Sequence, residues 1–244
     1  MKKLLILFLA ISANLSLAQD AALLRLNYEK GATYDVEMNI SQEMGTVMSM
    51  GMLINMDIKV LDVKDDTYDS EMKFTKMTMD MLQGGQAMSF DSTKSDEELD
   101  DTGKMMKAQM GPMLSALIYA KGNNLGEILE VKVEPSIPGV EDMAKQSSNV
   151  VYPTEAVSVG STWTMTKEEK GMKMDFLYTV KSISSDKVVL DLSGDVSGMA
   201  TGKISGNMNI DKASGIPENS TIDMNMSVSG QELKSKITMT MVKK

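Results

Sequence analysis

The chain predicts a mainly β protein: an antiparallel curved sheet, sandwich or partial barrel built from two related halves, with a few short helices. Three observations lead there. Apolar side chains recur at every second position over long stretches, as at Met172, Met174, Phe176, Tyr178 and Val180. Short polar turns then let the alternation resume in phase, as Ser184-Ser185-Asp186-Lys187 does before Val188, Leu190 and Leu192. Period-two alternation across a tight turn reads as a hairpin with one buried face. The third observation is an internal repeat. Lys30-Gly31-Ala32-Thr33-Tyr34 parallels Val159-Gly160-Ser161-Thr162-Trp163, and Met56 to Met72 superposes on Phe176 to Leu192 without a gap.

Residues 1–18 read as a secretory signal peptide. Met1-Lys2-Lys3 gives a short basic start, Leu4 to Ile11 is almost wholly apolar but too short to span a bilayer, and Ser16-Leu17-Ala18 supplies small residues before Gln19. The expected product is exported, periplasmic or secreted, and soluble after cleavage. The chain has no cysteine, so it forms no disulfide and offers no lipid attachment at the cleavage point.

Residues 19–95 form the predicted N-terminal β half. A first edge strand runs from Leu23 to Asn27, and a second carries Tyr34, Val36, Met38 and Ile40. One long stripe extends from Met48 to Val60, turns at Lys64-Asp65-Asp66-Thr67, and returns through Tyr68, Met72 and Phe74. The parity then shifts to Met77, Met79 and Met81, which predicts a bulge near Thr75-Lys76. Gly84-Gly85 turns the chain into Met88 and Phe90.

Residues 96–150 form a middle segment. The acidic stretch Asp91 to Asp101 reads as a solvated linker, and Thr102 as the cap of a short helix ended by Gly111-Pro112. A hairpin over Leu114–Ala120 and Glu127–Val133 follows, then a second short helix from Pro138. Residues 151–244 form the C-terminal β half, and residues 19–244 are expected to make one compact unit.

The composition excludes several chemistries. Net charge is −9, and it deepens once Lys2 and Lys3 are removed, which argues against nucleic acid and anionic membrane as partners. With neither histidine nor cysteine, Ser-His-Asp, Cys-His, zinc-His and haem-His arrangements are impossible. No glycine-rich phosphate loop is present. Asp62, Asp65, Asp66, Asp69 and Glu71 lack the glycine of a calcium loop and read as a solvated turn. No cofactor, no membrane-spanning segment in the mature chain and no enzymatic activity are expected. An outer-membrane barrel is disfavoured, because aromatic residues make up only 5% of the chain and such barrels need aromatic girdles.

Methionine is the unusual feature, at 26 of 244 residues. Residues two apart on a strand share a face, so Met48, Met50 and Met52 line up, as do Met77 and Met79, Met172 and Met174, and Met224 and Met226. The plainest reading is that methionine fills a core poor in aromatics. A second reading makes these nine side chains the lining of a concavity for a hydrophobic, lipid-like small molecule or an envelope protein. A third is Cu(I) or Ag(I) binding through Met-x-Met strands. A structural module with a dry core also remains open. The functional expectation is the second: a non-catalytic binder.

The glycine turns quoted above, the Met-rich strand to Val60, Pro153 and the Gly202 to Met226 region carry a resemblance. The chain resembles a family of exported, Met-rich bacterial envelope proteins of unknown function, some of whose members are lipoproteins. The resemblance implies β architecture and brings no catalytic residues. More loosely, curved sheets with helical pieces resemble periplasmic lipoprotein carriers, an analogy of fold alone.

Overall fold

The computed structural model describes residues 21–138, 140–145, 150–169 and 171–244. The predicted signal peptide lies outside them. A short strand β1 (Ala21–Ala22) comes first, then β2 (Thr33–Met44), β3 (Met48–Lys64), β4 (Thr67–Gln83) and β5 (Gln86–Asp91). Helix α1 (Asp101–Leu114), strands β6 (Leu117–Asn123) and β7 (Ile128–Glu134), helix α2 (Val140–Lys145) and β8 (Val157–Ser158) form the middle. The last part is β9 (Thr162–Glu169), β10 (Met172–Ile183), β11 (Lys187–Gly198), β12 (Ala200–Asp211), β13 (Pro217–Val228) and β14 (Gln231–Lys243).

Twelve of these strands make one curved antiparallel sheet that does not close. Its order is β7-β6-β4-β3-β2-β14-β13-β12-β11-β10-β9, with β5 beside the far end of β4. The pieces of the repeat therefore meet at a seam, where the last strand pairs with the first long one: Ile237 faces Ile40, Met239 faces Met38 and Met241 faces Val36. β1 and β8 pair separately, Ala22 against Val157.

The repeat is visible in the hydrogen bonds. Gly31 N–H donates to the Val60 carbonyl at 2.9 Å and Val60 N–H to the Ala32 carbonyl at 2.9 Å. In the second copy Gly160 N–H donates to the Val180 carbonyl at 2.8 Å and Val180 N–H to the Ser161 carbonyl at 2.9 Å. Both glycines have positive φ, 84° and 88°, which a side chain disfavours. The ladder register slips after Val60 and again after Val180, so each copy carries its bulge at the same place. The bulge predicted near Thr75 is also present: Asn55 faces Lys76 and Met56 faces Phe74, leaving Thr75 as the extra residue.

Alternation sorts the faces. On one face Asp191, Asp195, Lys203 and Asp223 meet solvent, with cross-strand ion pairs such as Lys203–Asp195 and Lys181–Asp191; exposed pairs of this kind contribute little stability. The opposite face is apolar. Its main core packs Phe176, Tyr178, Val180, Leu190, Leu192, Ile204, Met208 and Ile210 beneath Ala22, Leu24, Val150, Tyr152 and Val157. A second cluster at the seam holds Tyr34, Val36, Val60, Met239 and Met241. α2 closes a third over β6 and β7, and α1 a fourth over β4 and β5.

Three expectations are corrected. Leu23 to Asn27 is not a strand: its regular alternation arises because Leu24 and Leu26 drop onto the sheet face while the backbone bonds loops, Leu26 N–H to Asn124 and Asn27 N–H to Ser214. α1 is capped by Asp100, whose Oδ1 accepts from Gly103 N–H at 2.7 Å, so Thr102 falls inside the first turn. Nor does Gly111-Pro112 end it. Pro112 sits inside the last turn, where it loses the N–H bond to the Ala108 carbonyl and its ring crowds that carbonyl, yet the helix runs on to the cap at Ser115, which places Leu114 in the helix rather than in the hairpin. Asp100→Ala is expected to destabilise α1 by about 1 kcal/mol, read as faster amide exchange through Lys104 to Met110.

Candidate functional site

Residues directly opposed in an antiparallel ladder share a face. By that register all nine predicted methionines lie on the apolar face. Met224, Ser235, Gln42, Met50, Met81 and Met88 form one row across β13, β14, β2, β3, β4 and β5. Met226, Leu233, Met44 and Met48 form the next toward the strand ends, and Ile237, Ile40, Met52 and Met79 the one on the other side.

Their packing differs. Met77 is 2% exposed, locked under α1 with Phe90 and Met106, and Met79 packs on the same cluster. Met172, Met174, Met224 and Met226 are half-buried along the margin of the main core. Met48, Met50 and Met52 are half-buried as well, yet they belong to none of the four apolar clusters among the described residues. So do Ile40 and Ile237 beside them. A strip of apolar surface thus runs over β14, β2 and β3, between the core of the C-terminal strands and the cover supplied by α1.

Sequence reasoning missed Ser235. It is 3% exposed and its Oγ has no hydrogen-bond partner among the described residues. The Trp163 Nε1 is in the same condition, with the indole stacked on Tyr178 at 5.4 Å between ring centroids. A signal existed, for Ser235 is in phase with Leu233, Ile237 and Met239, which marks it as facing inward.

The resolved acid–base shifts all run away from neutral pH. Burial pushes the tyrosine hydroxyls up, Tyr68 to about 12 and Tyr28, Tyr152 and Tyr178 further. Tyr28 packs edge-on against Tyr34 and Tyr68 at 5.4 and 4.7 Å, and the Tyr152 hydroxyl donates to the Gly215 carbonyl at 2.8 Å. On the polar face, Lys244 reaches both Asp35 and Asp57, at 2.7 and 2.9 Å, and its hydrogen bond holds the Asp57 carboxyl below the usual carboxylate range. Asp62 is held down by Lys30 in the same way, and the Asp66 carboxylate accepts from the Asn124 amide at 2.7 Å. Among the described residues no group of three or more His, Cys, Asp or Glu side chains is placed to hold a metal ion. No helix among them is long and apolar enough to cross a membrane.

Two hollows open mainly on the polar face. One of about 420 Å³ is lined by Thr201, Asn225, Ser227, Glu232 and Lys234, with Met226 and Leu233 at its margin. The other, about 290 Å³, lies by Ser49, Asp80, Leu82, Ala87 and Asp100, with Met81 and Met88. Neither contains Met48, Met50 or Met52.

Among solved structures, one described as "lipid-protein interactions in lipovitellin" is similar with a TM-score of 0.55 at 12% identity, over 89% of this chain and 25% of that one. The chain thus spans about a quarter of that protein's length, and the likeness is one of fold. A crystal structure described as an outer membrane lipoprotein-sorting protein domain from Vibrio parahaemolyticus aligns over 89% of this chain and 88% of its own, at 7% identity with a TM-score of 0.22. No curated protein matches the chain. Residues 140–242, from α2 into β14, match a family of unknown function, DUF6263, which meets for that part of the chain the resemblance read from the sequence.

Proposed function

We propose that this is an exported, non-catalytic protein that holds an apolar, lipid-like ligand against the strip formed by Met48, Met50 and Met52 with Ile40 and Ile237. One observation carries the reading. These methionines face the same way as the packed core, yet no described element covers them as α1 covers Met77. Unbranched thioethers adapt to irregular partners, which suits a surface that must receive a flexible chain. The lipovitellin likeness, being one of fold, supports the search for a lipid-like ligand and names none.

The uncharged fluorophore N-phenyl-1-naphthylamine tests it. Saturable fluorescence enhancement is expected with the whole chain, and Met52→Asp is expected to weaken it at least tenfold, because a covered carboxylate would be left unpaired. The melting curve of the variant checks that the sheet persists. Absence of saturable binding to the unmodified chain overturns the proposal.

A second reading rests on the cross-strand pairs Met44–Met48, Met50–Met81 and Met81–Met88, which bring thioethers opposite one another. Thioethers are soft ligands for Cu(I). Stoichiometric Cu(I) uptake abolished by Met50→Leu, without fluorophore binding, would favour it. Silence in both assays would leave a structural module of the envelope.

A further inference from the structure

Two polar side chains interrupt the strip, Ser235 and the half-buried Gln42, and of the two Ser235 is the one buried without a hydrogen-bond partner among the described residues. Ser235 sits in the middle of the strip, opposed by Met224 on β13 and Gln42 on β2. Along its own strand Leu233 and Ile237 flank it on the same face. A buried hydroxyl without a partner is costly, and alanine would fill the position without that cost. A hydroxyl there is explained if something else completes its hydrogen bond. No side chain around it on that face is charged: Met224, Gln42, Leu233, Ile237, and diagonally Ile40 and Met44. A carboxylate or phosphate brought to this point would be desolvated with no cation to receive it. Lys234 and Lys236 alternate onto the opposite face and do not serve.

We propose, resting on the apolar-strip reading above, that the ligand is an uncharged acyl ester or amide whose carbonyl oxygen accepts a hydrogen bond from Ser235 Oγ while its hydrocarbon chain lies along Met48, Met50 and Met52. A serine hydroxyl donates one hydrogen bond and a carbonyl oxygen accepts it; no charge changes hands. A pure hydrocarbon would leave the hydroxyl orphaned, and a free fatty acid would pay for its buried charge.

The test is displacement of N-phenyl-1-naphthylamine by three competitors of similar length: methyl palmitate, heptadecane, and palmitate at pH 8. With the unmodified chain, the ester is expected to displace the fluorophore five- to tenfold more effectively than the alkane or the carboxylate. Ser235→Ala is expected to unfold no earlier on heating and to erase the preference for the ester over the alkane. Equal displacement by ester and alkane, equal displacement by ester and palmitate, or an ester preference that survives Ser235→Ala would each overturn the assignment while leaving the strip as a binding surface. Failure of the fluorophore to bind at all would remove the strip and this assignment together.

Discussion

Gly206→Ala is expected to cost the fold roughly 3 kcal/mol or more, or to leave the protein insoluble. Gly206 lies in β12 between Leu192 of β11 and Ile222 of β13. A Cβ placed there would stand 2.1 Å from the Thr221 carbonyl oxygen and 3.2 Å from the Ile222 Cα. Both are backbone atoms, so no side-chain rotation relieves the collision and the strands themselves must part. Gly194 and Gly202 meet the same obstacle, at 2.2 Å from the Asp175 carbonyl and 2.3 Å from that of Asn225. Three glycines on neighbouring strands thus mark a zone where backbones approach closely. Gly51, also within a strand, has nothing within 4 Å of its would-be Cβ. Gly51→Ala should therefore change stability by no more than about 0.5 kcal/mol. Urea unfolding of the two variants side by side makes the comparison; equal midpoints would show that the close approach is not what the glycine serves.

Met208→Ala should cost about 3 kcal/mol, and Met50→Ala less than about 1 kcal/mol. The two side chains are chemically identical and differ in company. Met208 is fully buried, between Leu190 and Ser220 on neighbouring strands and inside the main core. Its loss leaves a cavity that rigid strands cannot fill. Met50 is half-buried on the strip and packs with no described cluster. Its loss removes a contact that the ligand, rather than the fold, is proposed to use. Fluorophore affinity should respond in the reverse sense, weakened by Met50→Ala. Should Met50→Ala destabilise as much as Met208→Ala, the strip is ordinary core and the binding proposal fails with it.

Most of the strands were legible because their pattern is local. Alternation names its own face, and the turns at Gly84-Gly85, Asp65-Asp66 and Ser184-Ser185 punctuate it, so even the Thr75 bulge could be placed by a change of parity. What misled was also local. Leu24 and Leu26 alternate as strand residues do, yet their partners are loops reached across the sheet, and no spacing distinguishes the two cases. Pro112 reads as a helix stop because proline weakens a helix interior, yet α1 is held by its packing on β4 and β5, which the local sequence does not announce. Strand order was beyond reach, since the pairing of β14 with β2 joins segments from opposite ends of the chain. The candidate site divided the same way. The methionines declared their common face, but which of them α1 would cover, leaving Met50 open and Met77 closed, is decided by a helix docking far along the sequence. Ser235 was hidden by its own residue type: a serine among apolar neighbours reads as a gap in the stripe until its burial is known.

The pairing of β2 with β14 also sets a timetable. β14 follows β2 with every other long strand between them, so the β2 ladder edge that it covers waits bare until all of those strands have been made. Closing so large a loop is slow, and a bare edge invites pairing with another molecule. The join that unites the sheet is thus the slowest of its contacts to form, and the chain is most exposed to aggregation just before β14 reaches β2.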